Sequence, residues 1–182
     1  QLIPYLMWKE HSLGKRVFNI QKCVRTVDIA EVWDMSHLTF FEMMGNWSLG
    51  DYFKDEAVSR SWEFLTSPEY LDIDPKKIAV TIFAGDESAP RDETTANKRK
   101  EVWLPESRIS YLPADNNRRS PGPVWPCGPD TEIFYRVGNS EFPPEWSNVW
   151  NDEDNWMEIW NNVFMEFYRD ESGTLSKLTN HN

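Results

Sequence analysis

Cysteine, histidine and glycine are all scarce in this 182-residue chain, at two, three and eight residues. Cys23 and Cys127, together with His11, His37 and His181, show neither a paired C-x-x-C nor an H-x-x-x-H spacing. A structural zinc is therefore not expected in this segment. So few cysteines point to a reducing compartment, with a single disulfide left open by the sequence. An excess of basic residues is missing too: Lys and Arg total 19 against 30 Asp and Glu, a net charge of −11. Such a chain repels a polyanion, so broad gripping of RNA or DNA by this segment alone is not expected. No apolar run approaches the ~20 residues of a membrane span. Lys9, Glu10 and His11 interrupt the early apolar residues, so no signal peptide is read. Nor does a glycine-rich phosphate loop join a strand to a helix, which argues against a doubly wound nucleotide fold. The chain starts at Gln1 without Met and ends at Asn182, and reads as a piece of something longer. With 40% apolar residues it is long enough for one domain with a real core.

What is present is organised around residues 39–53, TFFEMMGNWSLGDYF. Thr39, Phe41, Met43, Gly45, Trp47 and Leu49 alternate with Phe40, Glu42, Met44, Asn46 and Ser48. Period two predicts a strand with one face on a core and the other showing chemistry. The pattern stops at Gly50, and Asp51 is the expected N-cap of a helix over residues 51–66. In that helix Phe53, Ala57, Val58, Trp62 and Leu65 form a core stripe. Upstream, residues 16–25 (RVFNIQKCVR) alternate as well and predict a second strand whose semi-polar face ends in Arg25.

Strand, loop and strand, with Arg25 on one arm and Phe40, Phe41 and Glu42 on the other, resembles motif 2 of a class II aminoacyl-tRNA synthetase. The words FNIQKCVR, HLTFFEMMGN, GDYF, PCGP, TEIFY and EIWNNVFMEF narrow the resemblance to the catalytic domain of the alanyl-tRNA synthetase family, over about residues 17–169. The resemblance implies an α+β fold, an antiparallel sheet flanked by helices, truncated here. It makes residues 1–182 a partial aminoacylation domain with motif 2 at about 16–50 and no motif 3, editing or tRNA-binding region. It implies activation of alanine by ATP, with Mg²⁺, and transfer to tRNA(Ala) through regions mostly missing here, in the cytoplasm, with no membrane or DNA partner. Arg25 is the implied catalytic residue, on the α-phosphate. Phe40 would stack on adenine, with Glu42 on the same face and Phe41 left to the core. His37, one of a histidine pair in the family, would lie near the ATP phosphates. Asn161 and Val163 would frame the alanine. The family's DNFW-type segment reads Asp115–Asn116–Asn117–Arg118–Arg119, which would put a charge where a tryptophan closes the pocket. The expectation is a fragment inactive alone. The alternative is a non-catalytic synthetase-like protein that binds nucleotide or RNA.

The remainder is read more coarsely. Residues 77–83 (KIAVTIF) and 108–112 predict strands. Residues 85–95 read as a polar turn region and 97–103 as a short basic helix whose Lys98, Arg99 and Lys100 are solvated or touch RNA. Residues 114–130, rich in Pro and Gly, read as loop, 131–137 as strand, and 157–168 as one continuous strand. Trp146, Trp150 and Trp156 admit a sugar-stacking platform.

Tryptophan is the one residue in clear excess, at ten. Trp47, Trp62, Trp156 and Trp160 stand where the family accepts aromatics. Trp8, Trp33, Trp103, Trp125, Trp146 and Trp150 stand where glycine is expected, as in EVWLPE and VWPCGP. Eight glycines plus six would be 14 in 182, close to the usual ~7%. A gene using UGA for glycine, translated under the wrong code, would produce this pattern.

Overall fold

The computed structural model describes residues 2–7, 9–27, 29–34, 36–120, 122–137, 142–179 and 181–182. Trp8 and Pro121 lie outside the described residues. After a short helix α1 (Ile3–Met7) come β1 (Arg16–Val24) and β2 (Phe40–Ser48), then helix α2 (Lys54–Thr66). Strand β3 (Ile78–Phe83), helix α3 (Glu93–Glu101) and β4 (Ile109–Leu112) follow. Helix α4 (Ala114–Asn117) leads into β5 (Arg118–Arg119), β6 (Trp125–Arg136), β7 (Trp156–Val163), β8 (Phe167–Arg169) and β9 (Leu175–Lys177).

β1 and β2 form a two-stranded antiparallel sheet in which Val24 faces Phe40 and Lys22 faces Glu42. The seven remaining strands form one sheet with β6 at its hub. One half of β6 pairs antiparallel with β3 and β7, and its other half with β5 and β8. Only β3 and β4, joined through α3, run parallel among the described strands. The expected α+β architecture is therefore present, as a mixed sheet flanked by helices.

β3 explains itself: IAVTIF is β-branched and every residue is buried, as a central strand covered on both faces requires. One face carries Ile78, Val80, Ile82 and Ile133 against Leu65 of α2 and Ala96 of α3. The buried positions of α2, Lys54, Val58, Ser61 and Leu65, recur at helical spacing. Asp51 does not cap this helix. Phe53 holds the N-cap position without a side-chain bond, while Asp51 pairs with Arg16. The Ser48 hydroxyl takes the Asp51 and Tyr52 amides instead, at 3.3 and 2.8 Å.

Two departures from the sequence reading position the site. α3 begins at Glu93 because the Asp92 carboxylate accepts the Thr95 amide, at 3.2 Å, as an N-cap. And the 157–168 strand is broken: β7 ends at Val163, and β8 starts at Phe167. In the gap Phe164 and Glu166 donate their amides to Pro129 and Cys127 of β6. That close approach needs Gly128, where a Cβ would collide with the Phe164 carbonyl oxygen. Cys23 and Cys127 carry free thiols. Among the described residues no helix is long and apolar enough to cross a membrane.

Candidate active site on the open face of the sheet

The sheet face turned away from α2 and α3 changes character along its length. At one end Ala79, Phe134 and Trp156 make a small apolar cluster with Val149. Arg108 closes it by donating to the Pro143, Pro144 and Ser147 carbonyls. At the other end the same face turns polar. Thr81, Asp130 and Glu132 come from β3 and β6, Asn161 from β7, and Asn117 and Arg119 from α4 and β5.

These side chains are joined. The Asn161 amide donates to Asp130 at 2.9 Å and to Glu132 at 3.4 Å. The Arg119 guanidinium spans the same carboxylates, 2.9 Å from each. Asn117 donates to Thr81 at 2.7 Å and to Asp130 at 3.3 Å. Desolvation is the main cause that pushes the Glu132 carboxyl up to about 7, with Glu158 and Asp130 adding repulsion and Arg119 opposing it. Asp130 is raised for the same first reason, against the bonds from Asn161, Arg119 and Asn117. Glu158, although solvent reaches it, is raised by the protein packed around it and by Asp130, and held back by Arg119 and Arg25.

A β-bulge brings Glu158 to this face. Ile133 of β6 pairs with Trp160 but the next residue, Phe134, pairs with Glu158. Ile159 is the extra residue, and it shifts the alternation so that Glu158 shares a face with Asn161. Strict period two would place it opposite.

Next to Asn161, a cavity of about 60 Å³ opens between the hairpin and β7. Asn46, Ser48, Tyr52, Phe53 and Ala57 line one side, and Asn161, Val163, Phe164 and Asn182 the other. Asn161 and Val163, the two residues expected from the resemblance to frame alanine, are among the residues lining this cavity, with Asn162 between them. From the helix side the strand is held by Asn162, whose Oδ1 accepts from Arg99 at 3.0 Å and Ser61 at 3.2 Å. Arg99 is not solvated: it is fully buried, with its guanidinium pKa lowered by desolvation to about 9.

On the hairpin, Arg25 continues the ladder through its amide to the Thr39 carbonyl, 2.9 Å. Its guanidinium lies over the Phe41 ring, 5.3 Å from the centroid, and among the described residues no carboxylate pairs with it. Phe41 is half-buried, whereas Phe40 and Glu42 are exposed. His37 sits in the loop with its ring nitrogens on Asp34 and Glu31. Asp34 is lowered to about 2, first by the His37 amide and then by its ring. Arg118 turns away from the recess to Asp86 and Ser88, each 2.8 Å. Among the residues described, no group of three His, Cys, Asp or Glu side chains is placed to hold a metal ion.

Asp130, Glu132 and Glu158 are given no role by any motif legible in the sequence, and Asn117 enters there only as part of the 115–119 segment. Asp130 stood in a stretch read as loop, and Glu158 depends on a bulge. Alternation in 131–137 was the one signal that could have found Glu132.

The profile of tRNA synthetases class II (A) matches residues 1–182. The chain belongs to this family. The family's curated relatives include the alanine–tRNA ligase of Borrelia hermsii, 49% identical over 178 residues, 97% of this chain and 30% of that protein. The alanine–tRNA ligase of Treponema denticola is 48% identical over 178 residues, again 97% of this chain and 30% of the relative. That of Thermotoga maritima is 43% identical over 188 residues, covering 100% of this chain and 21% of its own length. The chain therefore spans about a third or less of these class II synthetases.

Proposed function

We propose that this chain is the amino-acid-activating core of an alanine–tRNA ligase, a cytoplasmic enzyme that joins alanine to ATP and passes it to tRNA(Ala). The observation that carries the reading is the polar recess at Asn161, open beside Val163 to a cavity of about 60 Å³. A small apolar wall next to an amide and two carboxylates suits a short amino acid: the methyl group meets Val163, and the ammonium meets Asp130 and Glu132. The buried Asn161 Oδ1 lacks a donor among the described residues, and an ammonium N–H would supply one.

In the reaction the alanine carboxylate attacks the α-phosphate of ATP in line, forming alanyl-adenylate and releasing pyrophosphate. Charge gathers on the equatorial oxygens, so placed cations and orientation matter more than a general base. Arg25 carries that role. Its planar fork matches two phosphate oxygens, and its position over Phe41 rather than in an ion pair leaves it available. Phe40, exposed on the hairpin, is the surface for adenine, with Glu42 beside it. His37 is the phosphate-side residue of the loop, steered by Asp34 and Glu31. Mg²⁺ belongs to the nucleotide substrate. tRNA(Ala) would be held mainly by parts of the enzyme that correspond to the rest of the relatives' length.

One observation favours the rival reading, a nucleotide-binding relative that does not take alanine: Arg119 now occupies the two carboxylates. A non-hydrolysable alanyl-adenylate analogue, with a sulfamoyl group in place of the phosphate, separates the two by calorimetry. The ligase reading expects binding that weakens at least tenfold in Arg25→Ala and Asn161→Ala. Equal affinity for the analogue and for adenosine alone would refute the alanine assignment.

A further inference from the structure

Trp103 has a φ of +74°, the left-handed region where a Cβ meets the following carbonyl and glycine is the default. Its place is specific. Helix α3 ends at Glu101 with Val102 as C-cap, and Trp103 is the next residue. The Trp103 amide bonds the Lys100 carbonyl at 3.0 Å and the Leu104 amide bonds the Arg99 carbonyl at 3.2 Å. That pair of bonds is the Schellman ending of a helix, and its left-handed position is the one glycine dominates. Leu104 tucks into the core at 2% exposure, whereas the Trp103 indole hangs in solvent at 88%. The backbone is therefore shaped for a residue whose side chain it does not use. Among the described residues the other positive φ angles belong to Gly14, Gly50, Gly85, Gly173 and Asp72; aspartate tolerates this region because its short polar side chain bonds locally.

The remaining tryptophans divide the same way. Trp156 is buried, donates its indole N–H to Ser147 at 3.0 Å, and has the Arg108 and Arg136 guanidinium groups over its ring. Trp62 and Trp160 pack on the core and Trp47 is half-buried. Trp33, Trp146 and Trp150 sit in turns with their rings exposed. A tryptophan that is used is packed; these are not.

We propose that residue 103 of the natural protein is glycine, and with it residues 33, 146 and 150, each encoded by UGA in a genetic code that assigns this codon to glycine. Trp125, half-buried at the start of β6, and Trp8 join the set on the sequence pattern alone.

The gene and the native protein decide it. The proposal expects UGA at codons 33, 103, 146 and 150 and UGG at 47, 62, 156 and 160. It also expects the tryptic peptide of residues 101–108 from the source organism to be lighter by the difference between an indolylmethyl group and a hydrogen. UGG at codon 103, or tryptophan in that peptide, overturns it. The left-handed backbone at residue 103 is testable on the recombinant chain. Trp103→Gly should raise the melting temperature by roughly 2–4 °C, and Trp103→Ala, which keeps a Cβ, by clearly less. Equal shifts for the two variants would refute the left-handed basis of the assignment.

Discussion

Replacing Glu132 by glutamine should stabilise the protein at pH 8 and leave it nearly unchanged at pH 4. The Glu132 carboxyl sits at about 7 in the fold against an ordinary 4.5, chiefly because of desolvation beside β3 and β7. An unfolded chain sheds this proton near the ordinary value. Between there and pH 7 the folded protein therefore holds a proton that the unfolded chain has lost, and stability falls as pH rises through that window. Each pKa unit is worth about 1.4 kcal/mol, so the ionised carboxylate costs the fold roughly 3 kcal/mol at pH 8. Glutamine removes that cost. It also gives up the charge-assisted bond from Arg119, about 1 kcal/mol, but Arg119 keeps Asp130. The net gain expected at pH 8 is about 2 kcal/mol, against less than about 0.5 kcal/mol at pH 4, where the carboxylic acid is largely neutral in both states, as the amide is. Urea unfolding followed by tryptophan fluorescence at the two pH values measures it. The same effect at both, or a loss at pH 8, would mean that Glu132 is not strained by burial as described.

Three further substitutions probe other parts of the structure. Lys54→Met should cost about 3 kcal/mol in urea unfolding, because Lys54 is the buried partner of both Asp92 and Glu166; a cost below about 1 kcal/mol would show that these carboxylates are otherwise satisfied. Arg99→Met is expected to be neutral within about 1 kcal/mol or stabilising in the same assay, since Arg99 is wholly buried with Asn162 and Thr131 rather than a carboxylate as partners. A loss of several kcal/mol would contradict this. Arg119→Ala should tighten binding of the alanyl-adenylate analogue about tenfold, close to 1.4 kcal/mol, by releasing Asp130 and Glu132 for the ammonium. Weaker binding in calorimetry would instead make Arg119 part of the seat.

The sequence displayed the parts of the fold that rest on local pattern. The hairpin, β3, β4 and the body of α2 follow from alternation and helical spacing, and their limits come out within a few residues. It hid what depends on partners. Asp51 has good N-cap chemistry, but Arg16 lies across the hairpin end and takes it. Arg99 has the composition of a solvated residue, yet α3 lies over the sheet with that side inward. Pro126, Gly128 and Pro129 read as loop, although β6 runs through them. Pro126 faces Tyr168 of β8, Pro129 faces Arg118 of β5, and Gly128 admits the Phe164 carbonyl. At the site, Asn161 was visible as a lone amide in an apolar stripe. Its neighbours Asp130 and Glu132 come from a strand thirty positions away, and no local pattern links them.

The bulge at Ile159 has a consequence for how this site could change. Were Ile159 to pair with Phe134, so that the β6–β7 ladder ran without a bulge, Glu158 would slip opposite Tyr135 and swing round to the helices. The recess would lose a negative charge although Asp130, Glu132, Asn161 and Arg119 all stayed in place. A comparison that counts identities among the lining residues would score such a protein as unaltered. The pairing register of β7 is thus itself a variable that sets the electrostatics of the recess, one that acts by slippage rather than by replacement.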